Sequence, residues 1–404
     1  MSNGAGNQAM TTLEAQWYNS MVNGLHLNPD TYLMLQPNTP IGNTSDKIWA
    51  YFNAIPPASL NFNLNTAQFN QFYTTYEAVV NQLKAQTALR VQRDLADCYQ
   101  PWMSYVKALN PLPTPEQLPN TFRSWAAIYC PDHAAQGYTD YQALIHDPVS
   151  LAQQYVLNQT GFLNNTPNFN QTIDDLNQAD QIAPAGGFTF DSATASSDVT
   201  NTWAKGSISG FYDFFSGSAS VDWSSLNAKA SSSQVTVDVQ FQHVFTFTAQ
   251  PGAWYNAGAL GMAFQTQDNT LWNPGTPNWN STFGPSGDMQ RLLTSLVIVD
   301  GITTKITSAA TYSTQEQQQI NADLSVGIWP FFSLGASGGY SHSAATFDGG
   351  QMTVTGSSVN GNPIILGANV TPVGQIFTQP GALAAALLAA GAGSGAEAAQ
   401  GGNS

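Results

Sequence analysis

The histidines, the cysteines and the acidic pairs are the side chains of this sequence that could do chemistry. The five histidines are His26, His133, His146, His243 and His342. Neither an HExxH motif nor paired ligand spacing relates them, so no metal site is predicted. His243 lies on the apolar face of an alternating segment, where a hydrogen-bonded core histidine is the usual role and a pH sensor the rarer one. Asp94 and Asp97 are typical of charges on a solvated helix face.

Short motifs of the common enzyme classes are absent from the sequence. It contains no GxSxG nucleophile turn, no P-loop and no dinucleotide-binding fingerprint. Charged residues make up 9 % of the chain, whereas soluble domains usually carry about 25 %. We therefore predict a non-enzymatic protein with no catalytic residue, no metal and no cofactor.

The charge balance restricts the class of partner. The formal net charge is −15, and phosphate binding requires clustered Lys and Arg, so nucleic acid is not expected. Anionic lipid would be repelled, and any membrane contact would depend on apolar groups or a neutral headgroup. A surface of Ser, Thr, Asn and Gln suits exported, self-assembling or membrane-adaptable proteins, because few charges must be desolvated when it is covered.

Cysteine usage and the N-terminus bear on location. Cys98 and Cys130 could pair with each other or remain two separate buried thiols, and the sequence leaves both open. The first residues show no basic region followed by an apolar stretch, so no secretory signal is predicted. No window reaches the ~20 apolar residues of a membrane-spanning helix. We expect synthesis in the cytoplasm and, if the protein is exported, release by an unconventional route.

Helical periodicity dominates the first half of the chain. After residues 1–12, which we expect to be disordered, apolar side chains recur at helical spacing, most clearly over 67–108 with a kink predicted at Pro101. Asp147 and Pro148 have the residue types of a helix N-cap and first helical position. Residues 13–180 are therefore predicted to form an α-helical domain.

The periodicity changes to two near residue 184. Val or Phe occupies the odd positions from Val235 to Phe247 except His243, as in a half-buried strand. At ~3.3 Å per residue this strand would reach roughly 40 Å, which implies an elongated sheet. Asp300-Gly301 is a hairpin signal. We predict an α+β fold, with a mainly antiparallel β domain over 186–378 and a disordered tail over 379–404.

Two segments combine alternation with aromatic tips. Ile320–Ile328 and Ser333–Ala344 alternate between apolar or small residues and polar ones, and they flank Trp329, Phe331 and Phe332. The other segment lies earlier in the chain. It has the same Phe-Phe-Ser core, and alternation at Val221 and Trp223 follows it. Its aromatic residues are Phe211, Tyr212, Phe214 and Phe215.

A β-segment that enters a bilayer needs alternating strands, small uncharged side chains and an aromatic tip. The two segments meet these requirements and resemble, by pattern, the insertion hairpins of β-pore-forming toxins. Burying Trp329, Phe331 and Phe332 could supply ~6 kcal/mol at ~2 kcal/mol per side chain. Because such attachment is weak for a monomer, stable insertion into a lipid bilayer implies a homo-oligomer.

Other interpretations fit the same residues. Alternation and paired phenylalanines also occur inside ordinary antiparallel sheets, and a self-assembling structural or surface protein would pair its sheet edges between subunits. A third interpretation is a module that binds glycan on a target surface through the loop 267–287, where aromatic faces and amides lie together. Its candidate ligand-binding residues are Trp272, Trp279, Phe283, Asp268, Asn273, Asn278 and Asn280.

Overall fold

The computed structural model describes residues 3–35, 40–62, 71–163, 165–199, 214–215, 223–323, 328–329 and 340–378. Its helices are α1 (Asn3–Gly24), α2 (Ser45–Phe52), α3 (Phe72–Gln82), α4 (Gln86–Leu95), α5 (Tyr99–Lys107), α6 (Leu118–Tyr129), α7 (Ala134–Leu144), α8 (Pro148–Leu157), α9 (Ile173–Ile182), α10 (Trp223–Ser231), α11 (Ala257–Gln265), α12 (Trp279–Phe283), α13 (Thr314–Asp323) and α14 (Val373–Thr378). Its strands are β1 (Tyr32–Leu35), β2 (Asn61–Phe62), β3 (Phe162–Leu163), β4 (Thr166–Pro167), β5 (Gly186–Asp191), β6 (Val235–Thr248), β7 (Arg291–Thr311), β8 (Tyr340–Asp348), β9 (Gln351–Ser358) and β10 (Ile364–Pro372). The predicted α+β fold, helices first and then a large mostly antiparallel sheet, is confirmed.

The large sheet is organised around β7, which is 21 residues long. Strand order is β2-β1-β10-β7-β6-β5, and β9 pairs with the second half of β7 while β8 pairs with β9. Pairing is antiparallel except between β1 and β2. The predicted strand from Val235 is β6, and its odd positions are buried as expected except at His243. A sheet of such long strands has an elongated shape.

Asp300-Gly301 does not form the predicted hairpin. The chain continues through it as one strand, with Gly301 at φ +61°, and β6 stays in register on both sides. The Asp300 carboxylate instead accepts hydrogen bonds from the backbone N–H groups of Gly361 and Asn362, at 2.6 and 3.2 Å. These two residues belong to the β9–β10 connection, so the dipeptide marks the point where β7 exchanges one neighbour for another.

Four further local predictions are corrected. The helix expected over 67–108 is broken into α3, α4 and α5, because Leu83 is extended and Ala96 has φ +46°. The strand expected from Ile320 begins instead as the end of α13, and Trp223 opens α10. Helix α1 starts at Asn3, within the segment expected to be disordered, and Met10 on it is 7 % exposed. The predicted N-cap Asp147 is confirmed, since it accepts from Val149 N.

The hydrophobic core does not divide at the predicted domain boundary. One cluster joins residues of α1, β1 and α3 to the buried faces of β6, β7 and β10. A second, separate cluster lies within α4–α7 and includes Trp102, Phe122 and Tyr141. We call this second cluster, with the helices that form it, the helical satellite. The change from helices to long strands near residue 184 is therefore a change of element type and not of core.

Candidate functional site

The two predicted aromatic tips meet in the structure. Phe215 and Ile328 form an isolated antiparallel bridge, and Trp329 N donates to Phe214 O at 2.7 Å. The side chain of Asn227 holds the segment that contains Phe214 and Phe215, because its Nδ2 donates to Phe215 O at 3.0 Å and its Oδ1 accepts from Phe215 N. The sequence predicted two tips, and the described parts of both belong to one contact.

The rings of this contact are buried in the main core. Phe214, Phe215 and Trp329 are 0 %, 2 % and 4 % exposed. Trp329 lies 5.1 Å from Trp17 of α1 and 6.0 Å from Phe190 of β5, measured between ring centroids. We call Phe214, Phe215 and Trp329 the aromatic junction. In this conformation its described rings are covered by α1 and the sheet, and they could meet a bilayer only after a conformational change.

The other predicted tip residues, Phe211, Tyr212, Phe331 and Phe332, lie outside the described residues, as do most of the flanking segments. The predicted strand Ser333–Ala344 is described only from Tyr340, where β8 begins. Within the described part of the chain, β8 pairs only with β9, in a register that runs from Tyr340↔Ser358 to Asp348↔Gln351. Among the described strands it therefore lies at the edge of the sheet, the position from which a strand can pair with another chain.

The aromatic residues of the loop 267–287 pack mainly against the protein itself. Trp272 is 2 % and Phe283 is 9 % exposed, with ring centroids 6.3 Å apart. Trp279 opens α12, and its Nε1 donates to Phe264 O at 2.6 Å. A sugar-stacking site needs an open ring face, and Trp279 is only partly exposed.

The polar residues of this loop are divided between structural and exposed roles. Asn278 caps α12 by accepting from Ser281 N at 3.1 Å. Asp268 accepts from the backbone N–H and the hydroxyl of Thr270. Asn273 and Asn280 are exposed. The loop thus has two exposed side-chain amides, Asn273 and Asn280, and among the described residues of the loop no aromatic ring is exposed beside them.

A cavity that no sequence pattern indicated lies beside the sheet. Its volume is about 480 Å³, within the usual range of ligand pockets. It is lined by residues from five distant parts of the chain, including His26, Gly186, Val244, Thr294, Asn369 and Gln375. Thr294 Oγ1 donates to Asn369 O at 3.2 Å, so part of the polar lining is already hydrogen-bonded. Among the described residues, no Asp, Glu, Lys or Arg lines the cavity, which favours an uncharged occupant.

Acidic residues are buried near His243, where α9 packs against β6. Asp180 and Asp300 are 9 % and 2 % exposed, and His243 is opposite Asp300 in the sheet register. Burial, and then the nearby Asp300 charge, raises the pKa of the Asp180 carboxyl. The hydrogen-bonded core histidine expected here is not seen at Nδ1 of His243, which has no hydrogen-bond partner among the described residues. Its strand position places it opposite the Asp300 carboxylate.

Comparison with known proteins identifies no relative, since no family model, curated protein or solved structure matches the chain. Among the described residues, no helix combines the length and apolar character needed to cross a membrane. The aromatic junction and its flanking edge strand are therefore the features from which a function can be argued.

Proposed function

We propose that this protein is a non-enzymatic, membrane-interacting protein of the β-pore-forming type, which oligomerises and inserts its aromatic-tipped hairpins into a bilayer. The observation that carries the proposal is the aromatic junction, in which the described rings of both predicted tips are held together and covered. A protein that must remain soluble before it meets a membrane has to bury such rings. The junction is consistent with that soluble state.

The segment that contains Trp329 carries few charges. Residues 324–347 contain no Asp, Glu, Lys or Arg, and β8, which begins among them, lies at the edge of the sheet among the described strands. Moving such a segment into hydrocarbon strands no ionised group, which would cost several kcal/mol each. Its removal from the sheet breaks only one strand-to-strand pairing among the described strands. These features support release of this segment more than of the central strands β6 and β7.

Oligomerisation is part of the same proposal. An inserted hairpin has unpaired backbone groups at its edges, and a bilayer offers no hydrogen bonds to satisfy them. A ring of subunits closes the sheet and pairs each edge with its neighbour. Since the net charge of −15 disfavours anionic lipid, we expect the target membrane to have a neutral surface.

Dye release from phosphatidylcholine vesicles tests the proposal, with two substitutions at one position. Trp329→Phe retains an apolar ring and should release dye at close to the wild-type rate. Trp329→Gln should reduce the rate roughly tenfold or more, because burying one large ring contributes about 2 kcal/mol and about 1.4 kcal/mol corresponds to a factor of ten.

A matched variant distinguishes an effect on membrane insertion from a general loss of folding stability. Trp254 is fully buried elsewhere in the main core, so Trp254→Gln imposes a similar cost on folding without altering the junction. It should retain dye release per folded molecule, as measured alongside circular dichroism. Intact vesicles with the wild-type protein, or equal release by Trp329→Gln and Trp329→Phe, would contradict the proposal.

A further inference from the structure

Cys98, Cys130 and His133 meet at one edge of the helical satellite. Their ligand atoms, two Sγ and one imidazole nitrogen, all lie within 4.8 Å of one another. The two cysteines are joined as a disulfide, which resolves the alternatives that the sequence left open. A disulfide needs only the two sulfur atoms, and it does not account for the position of His133. The sequence predicted no metal site because His133 has no paired histidine.

Local backbone structure brings Cys130 and His133 to the same side. Cys130 follows the last residue of α6, and residues Pro131–His133 form a single 3₁₀ turn. His133 N donates to Cys130 O at 3.2 Å, and this bond keeps the two residues close together. The spacing Cys130-Pro-Asp-His133 therefore forms a two-residue chelate, and Cys98 approaches it from the 3₁₀ turn between α4 and α5.

The imidazole of His133 is held in a definite tautomer. Its Nδ1 is 2.7 Å from the backbone oxygen of Asp94. A carbonyl oxygen can only accept, so Nδ1 carries a proton, and Nε2 is the nitrogen that remains for a metal ion. Metal-binding histidines are commonly oriented by such a hydrogen bond to a backbone carbonyl.

The Asp94 carbonyl is available because α4 ends at Leu95. Carbonyls in the last turn of a helix lack intrahelical partners. The following residue, Ala96, has φ +46°, a conformation that is unfavourable for a residue with a Cβ atom and is typical of functional sites. This break turns the chain toward Cys98 and directs the Asp94 oxygen to His133.

We propose that, when the disulfide is reduced, Cys98, Cys130 and His133 bind one Zn²⁺ ion, with water as the fourth ligand. A dithiol reductant supplies the two electrons and two protons, so that the disulfide becomes two thiols and the reductant becomes a disulfide. Binding of Zn²⁺ to both sulfur atoms then releases the two thiol protons. Two thiolates and one imidazole are a donor set that suits Zn²⁺, and three protein ligands leave one position open.

The site would have two stable states in different redox environments. The disulfide is favoured where the surroundings are oxidising, and the dithiol where thiol reductants are abundant. Zn²⁺ would take over the cross-link between the α4–α5 connection and the end of α6 when the disulfide opens. The inference does not depend on membrane insertion, because it concerns the helical satellite alone.

The test uses the full chain, folded with its disulfide, then reduced with dithiothreitol and freed of reductant without oxygen. Co²⁺ reports thiolate ligation by its charge-transfer absorption, and Zn²⁺ titration calorimetry gives the stoichiometry. We expect one ion per reduced chain and no thiolate–Co²⁺ band for the oxidised chain. His133→Asn should weaken binding by at least the roughly ten- to hundredfold that loss of an outer-shell partner causes, whereas His146→Asn, at a histidine outside this cluster, should not change it.

Both histidine variants retain the disulfide and can be folded before reduction, so failure to fold does not obscure the result. If reduction lowers the helical signal and Zn²⁺ restores it, the proposal is supported. Absence of the Co²⁺ band from the reduced wild-type chain, or equal affinity for His133→Asn and wild type, would overturn it.

Discussion

At the scale of single residues, the surroundings of two aspartates on α9 shift the pKa values of their carboxyl groups in opposite directions. Asp175 accepts hydrogen bonds from the backbone N–H and the hydroxyl of Thr172 in a capping box, and these bonds lower the pKa of its carboxyl. Asp180, one and a half turns further along, is buried and unpaired at Oδ1 among the described residues. Its pKa is raised by burial and by Asp300.

The two aspartates should therefore give opposite pH dependences of stability. A carboxyl whose pKa is lowered in the folded protein contributes stability at pH values above its unfolded pKa, near 3.8. That contribution is lost as the pH falls through the folded pKa. A carboxyl whose pKa is raised in the folded protein has the opposite effect. The free energy of unfolding falls as the pH rises from the unfolded pKa through the folded pKa. We expect Asp175→Asn to lower the free energy of unfolding at pH 7, and Asp180→Asn to raise it.

Urea denaturation between pH 2 and pH 7 measures both effects. The difference between Asp180→Asn and wild type should shrink as the pH falls toward 3.8. The difference between Asp175→Asn and wild type should persist down to about that pH and shrink only below it. Asp174→Asn changes the same charge at an exposed position of the same helix and reports the general effect of net charge. A decrease in stability for Asp180→Asn at pH 7, relative to this control, would show that the buried carboxylate is stabilised by a partner.

Residue types predicted local structure where the signal was local. Asp147 and Pro148 gave a correct helix start, because an N-cap needs only its neighbours in sequence. Asp300-Gly301 was misinterpreted because the partners of Asp300 are 61 and 62 residues away. A turn signal in a long strand can equally mark an exchange of neighbouring strands.

At the scale of elements, Gly367 permits β1 to pair with β10. A Cβ atom at this position would overlap the Tyr32 ring and lie 2.5 Å from the backbone oxygen of Leu33. Since Met34 of β1 is opposite Gly367 in register, backbone movement there would disturb the pairing. We expect Gly367→Ala to lower the free energy of unfolding by about 1–3 kcal/mol, as overpacking typically does.

Gly374→Ala provides the control for this substitution. It lies in α14, where the added methyl group would be 3.6 Å from Phe264, and Ala favours a helix over Gly by about 1 kcal/mol. Its stability in urea should equal or exceed that of wild type. Equal effects of the two substitutions would mean that β1 is not held to β10 by close backbone approach.

Element type was predictable where one periodicity persisted over many residues, as in β6. It was not predictable over 67–108, because Leu83 and Ala96 are ordinary helix formers and their backbone conformations are imposed by tertiary contacts. The aromatic junction was half predictable. The paired phenylalanines and Trp329 identified the segments, but their contact with each other and with α1 joins residues too far apart in sequence for any local pattern.

At the scale of the whole molecule, the helical satellite has its own core and its own cross-link. Trp102, Phe122 and Tyr141 pack together there, apart from the main core. Arg90 and the buried Asp140 join α4 to α7 with an N–O distance of 3.1 Å. The disulfide closes a loop with a sequence separation of 32 residues. A loop of this length restricts the unfolded chain by about 3–4 kcal/mol.

Reduction in the presence of a metal chelator should therefore loosen the satellite and leave the sheet intact. Hydrogen exchange followed by mass spectrometry would detect faster exchange in peptides from 91–144, with unchanged exchange in peptides from β6 and β7. Cys98→Ser/Cys130→Ser should give the same exchange pattern without reductant. The satellite is joined to the main core chiefly through α8 and Ala88, which packs against both clusters, so its opening need not propagate. Faster exchange throughout β6 and β7 on reduction would show instead that the two cores unfold as one cooperative unit.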